Sequence, residues 1–194
     1  MSLWGSSSSD ESKPKNLTTA DKAEVYANES GWVVRAGSKL TGNGNTSATP
    51  EVLVTLGGLS TALAAASISS TQFDISEFDV SAGGTLSATV NYNEQVTVVG
   101  SPTIVVTNSQ AGGGSAATLT LTKSAATANA ITFTLVVGAA GSTISADDVL
   151  SIGAQNVALA GGTIKDTAAA TDTNALVAIS AGAGSIAGTI TAIA

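Results

Sequence analysis

Neither cysteine nor histidine occurs in this chain of 194 residues. Their absence removes disulfide frames, Ser-His-Asp and Cys-His nucleophile pairs, and the common zinc sites. Charge is scarce as well, at 11% Asp, Glu, Lys and Arg, and aromatic residues make up only 4%. No run approaches the roughly 20 apolar residues that a membrane helix needs. The N-terminus shows no basic segment leading into an apolar stretch, the mark of a secretory signal. A membrane partner is therefore not expected.

What is abundant is Ala, Gly, Ser and Thr. Small residues make thin cores, and Ser and Thr in place of Lys and Glu make neutral outer faces, so many short strands are expected. A chain of this length buries roughly 70% of its unfolded surface, enough for one good core or two small ones. The net charge of −7 is unevenly spread. Residues 1–39 balance Lys13, Lys15, Lys22, Arg35 and Lys39 against Asp10, Glu11, Asp21, Glu24 and Glu29. The remainder sets two lysines against nine acids. Phosphate-backbone binding needs clustered Lys and Arg, so no nucleic-acid partner is expected.

The opening "MSLWGSSSSDESKPK" places an indole, Trp4, ahead of a stretch too polar to offset its own ordering entropy. Such a side chain is wasted unless it docks on something. "NLTTADKAEVYANES" (16–30) reads as a helix, with Thr18 and Asp21 as a capping box and Asn28 to Gly31 as its stop. "GWVVR" and "PEVLVTL" read as strands around the loop "GNGNTSATP", and "GGLSTALAAASIS" as a boundary. From about residue 70 the pattern becomes strand, turn, strand. "QFDISEFDV" changes parity between Ile75 and Phe78, so a bulge is expected near Ser76–Glu77. "TLSATV" places Leu86, Ala88 and Val90 on one face, and "TLTLT" and "ITFTL" repeat the alternation of half-buried antiparallel strands. "SIAGTITAIA" is expected to pair, within the domain or with a neighbour. The fold class is therefore mainly β. The expected organisation is an N-terminal arm and anchoring region with one short helix (1–70), then an antiparallel β-sandwich (71–194).

The sequence offers little catalytic chemistry. Asp74, Glu77, Asp79, Glu94, Asp147 and Asp148 are candidates for a glycosidase pair, but sugar clefts need aromatic platforms, which are few. No enzyme activity is expected. "SADDV" is a conceivable calcium turn, with Asp166 and Asp172 as further donors; an Asp capping its own backbone is the simpler reading. No metal or cofactor is assigned. Glu94 is read as a strand end facing solvent rather than a buried partner for Lys123. The glycine runs are turns, since none precedes a helix with Gly-Lys-Ser/Thr.

Two resemblances add to this. "VNYNEQVTVVGSPTIVVTNS", with Glu94, Val96, Gly100, Pro102 and Ile104 to Val106, followed by "AITFTLVV" and "SADDVLSIGAQNVALAGGTIKD", resembles the immunoglobulin-like modules of large bacterial surface proteins. "MSLWG" with "KPKNLTTADKAEVYANESGWV" resembles the start of virion structural proteins of contractile-tailed marine cyanophages. Together they imply an immunoglobulin-like sandwich in a non-enzymatic virion protein, located in the virion after assembly in the host cytoplasm. The implied role is a capsid decoration protein. Its partners would be the major capsid protein or other virion subunits, with self-association on the lattice as a further option. A neck, tail or baseplate fibre component and a glycan-binding adhesin module are the alternatives. Leu3, Trp4 and Trp32 are the expected interface contacts.

Overall fold

The computed structural model describes residues 13, 14, 16–113, 115–139, 143–167, 173–180 and 188–194. A first unit comprises α1 (Thr19–Ala23), β1 (Val25–Asn28), β2 (Gly31–Val34), a 3₁₀ turn (Lys39–Thr41), β3 (Glu51–Thr55) and α2 (Leu59–Ala62). The capping box forms as expected: Thr18 Oγ1 accepts from the Asp21 amide at 3.1 Å, and Asp21 Oδ2 accepts from the Thr18 amide at 3.3 Å. The expected helix over 16–30 is otherwise corrected, because it stops at Ala23. Val25 to Asn28 pair instead with Val34 to Gly31. Asn28 Oδ1 accepts from the amides of Ser30 and Gly31, at 2.8 and 3.2 Å, so the residues read as a helix stop turn a hairpin.

That hairpin is buried on both faces. Val25, Ala27, Trp32 and Val34 share one face and pack with Leu59 in a small core of their own. Tyr26 and Val33 occupy the other face, against the rest of the molecule, and are buried too. Apolar runs without alternation are the signature of strands covered on both sides. Residues 16–63 thus form a folded unit with a core of their own. Trp32 is 1% exposed, which corrects its assignment as an interface contact: its indole fills the small core.

The second unit starts at β4 (Ile68–Phe73), just ahead of the expected boundary, and continues through β5 (Glu77–Asp79) and β6 (Gly84–Tyr92). Next come β7 (Val96–Val99), β8 (Thr103–Asn108), β9 (Thr118–Ala126), β10 (Ala130–Val137) and β11 (Val149–Ser151). The last are β12 (Gln155–Asn156), β13 (Thr163–Asp166), β14 (Thr173–Asn174), β15 (Ala178–Ile179) and β16 (Thr189–Ile193). Eight strands form one ladder in the order β4-β6-β10-β9-β8-β11-β16-β5; β14-β13-β7 and β12-β15 form two small sheets. Every pairing is antiparallel except β16 with β5.

The outermost strands of the ladder, β4 and β5, are separated in sequence only by Asp74, Ile75 and Ser76. Four residue steps span at most about 14 Å, so the ladder must fold over until its two edges nearly meet. The result is a β-sandwich. This also corrects the expected bulge near Ser76–Glu77: the parity changes there because the chain leaves one edge of the ladder and joins the other. The alternation read in "TLSATV" holds, with Leu86, Ala88 and Val90 facing a core shared with Ile104, Leu121, Phe133, Leu150 and Ile190. The two small sheets add Val96, Ile164 and Ile179 to it. β16 lies between β11 and β5, so its pairing is internal.

One glycine couples the first unit's strands. Gly31 has φ +134°, and a Cβ there would lie 2.0 Å from the Val54 carbonyl oxygen. Gly31→Ala is therefore expected to cost about 1–3 kcal/mol and to strip amide protection from β3 while sparing β6 and β10. Hydrogen exchange read residue by residue checks this.

Candidate interaction surface at the seam between the units

The first unit sits on the outer face of β4 and β6. The last five residues of β6, Ala88 to Tyr92, are all buried, although only Ala88, Val90 and Tyr92 point into the core. Thr89 and Asn91 point outward and are covered by the docked unit. The joint is polar and specific. Ala27 donates its amide to the Asn93 carbonyl at 2.8 Å. Arg35 Nη1 donates to Asn91 Oδ1 at 3.1 Å, and its Nη2 lies 3.7 Å from Glu24 Oε1. Glu24 also accepts from the Ser38 hydroxyl. Asn129 Nδ2 reaches across to the Ala23 carbonyl at 3.3 Å while holding the Tyr92 carbonyl at 3.1 Å. Lys13 Nζ ties the Lys22 carbonyl, 2.7 Å away, to Ser69 Oγ on β4 at 3.2 Å.

Two depressions follow the seam. A groove of about 600 Å³ is walled by Tyr26, Arg35, Pro50, Thr89, Ala128 and Thr132. A shallower polar cleft of about 310 Å³ lies among Asn28, Glu29, Ser30, Ser60, Gln95 and Thr167. Clefts at domain boundaries are common ligand sites, but neither gathers catalytic groups. Nothing in the sequence marks Asn91 or Asn129 as seam residues. Each sits in an ordinary strand-and-turn context, and only the docked unit makes it important.

The candidate residues divide clearly. Leu3, Trp4 and Asp172 lie outside the described residues. Glu94 is fully buried where its backbone bridges Ala27, which corrects the expectation that it faces solvent. Asp74 accepts from Ser87 Oγ at 2.6 Å and Thr89 Oγ1 at 3.0 Å. Asp79 accepts from Ser81 Oγ at 2.7 Å and the Ala82 amide at 3.0 Å; the Ser81 hydroxyl, then that amide, hold its carboxyl below the usual range. Glu77 and Asp147 are exposed. Asp166, also buried, accepts from the Ala66 amide at 2.9 Å. Among the described residues no group of three or more Asp or Glu side chains converges as a metal site would require.

Asp148 is the most committed of these. It is buried, and its carboxylate accepts from Asn108 Nδ2 at 2.8 Å and from the amides of Gly112 and Ser145, both at 2.9 Å. "SADDV" is thus a turn that organises backbone from two loops. Burial pushes the Asp148 pKa up, but hydrogen bonds from Ser115, the Ser145 amide, Asn108 and the Gly112 amide outweigh it and hold the group at about 2. The aromatic side chains are likewise spent on packing. Tyr26, Trp32, Phe78, Tyr92 and Phe133 are buried and Phe73 is half-buried, which leaves no exposed platform among the described residues.

Comparison with protein-family models, with curated proteins and with solved structures finds no match.

Two pH dependences follow from the geometry. The folded pKa of Asp148 lies below its ordinary 3.8, so its stabilisation is full above about 4 and is lost as pH falls toward about 2. Asp148→Asn should flatten the denaturant midpoint across that window and lower stability at pH 7 by about 2–4 kcal/mol, since buried donors lose their charged acceptor. Lys13 runs the other way. Burial, with Arg35 and Lys22 nearby, lowers it from 10.5 to about 7. Between those values the unfolded chain binds more protons than the folded one, so stability rises with pH from about 7 to about 10.5. Urea titrations of the parent and Lys13→Met at pH 6.5, 8 and 9.5 measure this: the parent's rise should be steeper by the Lys13 contribution.

Proposed function

We propose that this chain is a non-enzymatic phage virion protein that decorates the capsid lattice, holding an immunoglobulin-like sandwich outward. The observation that carries the reading is the strand order of the ladder. β4-β6-β10-β9 followed by β8-β11-β16 runs in the ABED and CFG strand orders of immunoglobulin-type sandwiches, here joined into one ladder by β9–β8 pairing, and this supports the reading. β5 adds an edge parallel to the last strand, as happens when the first strand divides between two sheets. This agrees with the resemblance of residues 72–182 to repeated surface modules. The join of this sandwich to a unit whose sequence resembles the start of cyanophage virion proteins supports a coat role. The charge distribution supports it too: the near-neutral first unit suits a subunit contact, while the acidic sandwich suits a solvated outer face.

Leu3 and Trp4 are the proposed anchor. A buried aromatic at an interface contributes about 2 kcal/mol or more, and repetition on a lattice multiplies weak single contacts. The buried aromatics of the sandwich leave the glycan-binding alternative without support. Removing residues 1–12, or combining Leu3→Ala with Trp4→Ala, should reduce incorporation into particles at least about tenfold. Quantitative mass spectrometry of purified particles, normalised to the major capsid protein, reads this directly. Full occupancy of the truncated form would overturn the reading.

A further inference from the structure

The loop between β2 and β3 contains the chain's one Asn-Gly pair, Asn43-Gly44. Asn43, Gly44, Asn45 and Thr46 are all exposed. Asn43 Oδ1 accepts from the Asn45 amide at 3.0 Å, which folds the side-chain amide back over Gly44. Among the described residues the Gly44 amide makes no hydrogen bond. With no Cβ on Gly44, nothing crowds the approach of its nitrogen to the Asn43 side chain. A carbonyl polarised by a backbone donor, beside an unencumbered nitrogen, is the arrangement for intramolecular acyl transfer.

We propose that Asn43 is a site of spontaneous deamidation, with water as co-reactant, and that the change acts on the seam groove. The Gly44 nitrogen, having given its proton to solvent hydroxide, attacks Asn43 Cγ and closes a succinimide ring. The Asn45 amide already points at the oxygen that takes up negative charge. The tetrahedral carbon then expels Nδ2, which gains its proton from water and leaves as ammonia. Water adds to one of the two ring carbonyls and the C–N bond at that carbon breaks. Opening at Cγ gives aspartate on the normal backbone. Opening at the main-chain carbonyl gives isoaspartate, whose backbone runs through the side chain and is one methylene longer. No electrons are gained or lost. Other asparagines lack one of the conditions. Asn45 is exposed in the same loop but precedes Thr46, whose branched Cβ crowds the nitrogen. Asn108 precedes the small Ser109 but is buried, with Nδ2 donating to Ser115 Oγ and Asp148 Oδ2.

The second half of the loop connects this chemistry to the seam. Thr46 packs on Gly37 so closely that a Cβ there would lie 2.7 Å from Thr46 Cγ2. Thr46, Ala48 and Pro50 line the seam groove together with Arg35. An added backbone methylene at Asn43 displaces Thr46 from that fit. The new carboxylate also adds a negative charge to residues 16–63, which carry Lys22, Arg35 and Lys39 against Asp21, Glu24, Glu29 and Glu51. The inference is independent of the virion reading: it needs only purified chain, and either can fail alone.

The test incubates the full chain at mildly alkaline pH and follows Asn43 and Asn45 in the same sample by peptide mapping. Asn43 should convert at least about tenfold faster than Asn45, equivalent to about 1.4 kcal/mol of barrier. Isoaspartyl methyltransferase labelling should place isoaspartate at that position. Gly44→Ala is the decisive variant. Its added Cβ meets nothing within 4 Å and Gly44 lies outside the left-handed region, so the fold is kept. It should slow conversion of Asn43 at least about tenfold. The isoaspartyl form, separated by chromatography, should show shifted backbone amide resonances at Gly37 and Thr46. Asn43→Asp, which adds the charge but no backbone atom, should shift them less. Equal rates at Asn43 and Asn45, or Gly44→Ala converting as fast as the parent, overturn the assigned site. Unmoved Gly37 and Thr46 resonances in the isoaspartyl form overturn its action on the groove.

Discussion

The end of β6 has no face left for water, and the arrangement of the two units follows from that. Ala88, Val90 and Tyr92 fill the sandwich core; on the opposite side Thr89 finds its partners within the sandwich, in Asp74 and Thr132, whereas Asn91 draws one from the unit that covers it. A buried amide without partners costs about 1–3 kcal/mol. Asn91 therefore constrains the cover tightly: its Oδ1 takes Arg35 and its Nδ2 reaches Ser70 Oγ at 3.2 Å. Arg35 then needs an anion, which Glu24 supplies, and Glu24 is itself steadied by Ser38. Misplacing the first unit would orphan this whole series of groups. Apolar contact from Tyr26 and Val33 attracts the units to each other; the polar series fixes their register.

The same economy governs the loops. In a chain with so few charged residues, the described carboxylates act mainly as acceptors for backbone amides and neighbouring hydroxyls. Asp148 joins the loop after β8 to the turn before β11. Asp166 holds the chain entering β4, and Asp79 closes the turn after β5. Each replaces packing that larger side chains would otherwise supply, because segments of Ala, Gly, Ser and Thr bury too little apolar area to define a loop. Acids used in this way have lone pairs already directed at protein donors, and for Asp79 and Asp148 those hydrogen bonds favour the ionised form.

Much of the strand plan was legible in the sequence, because period-two alternation in segments such as "TLSATV" survives tertiary packing. Legibility ended where a residue's environment came from elsewhere in the chain. Val25 to Ala27 close a stretch in which Ala20, Ala23 and Ala27 lie at near-helical spacing, yet β2 lies nearby to pair with them, and tertiary pairing overrides propensity. The parity change near Ser76 was visible, but its cause was a move between distant edges, which no local pattern encodes. Trp32 and Glu94 were misplaced for one shared reason. Both look like surface residues until the first unit folds and docks, when the indole becomes core and the carboxylate becomes seam. Leu3 and Trp4 lie outside the described residues, so the anchor proposed for them rests on sequence and chemistry.

Edge protection explains why the parts are joined as they are. Proteins commonly guard sheet edges with lysine or glutamate, and this chain has few of either. Topology takes over that task. The sandwich folds its ladder round so that β5 shields β16 with a parallel edge. Just before β4, the Ala66 carbonyl accepts the amide of Leu176 at 2.7 Å. The first unit turns its β1 edge into the sandwich through Ala27 and Asn93. Applied in turn, these covers leave the small sheet, among the described residues, with one short opening at β3, where a proline and a bulge limit its length but not its apolar character. A fold that protects its edges by geometry instead of charge keeps a neutral, closely approachable surface on one unit, and it can do so only while the polar ties at Asn91 hold that unit in place.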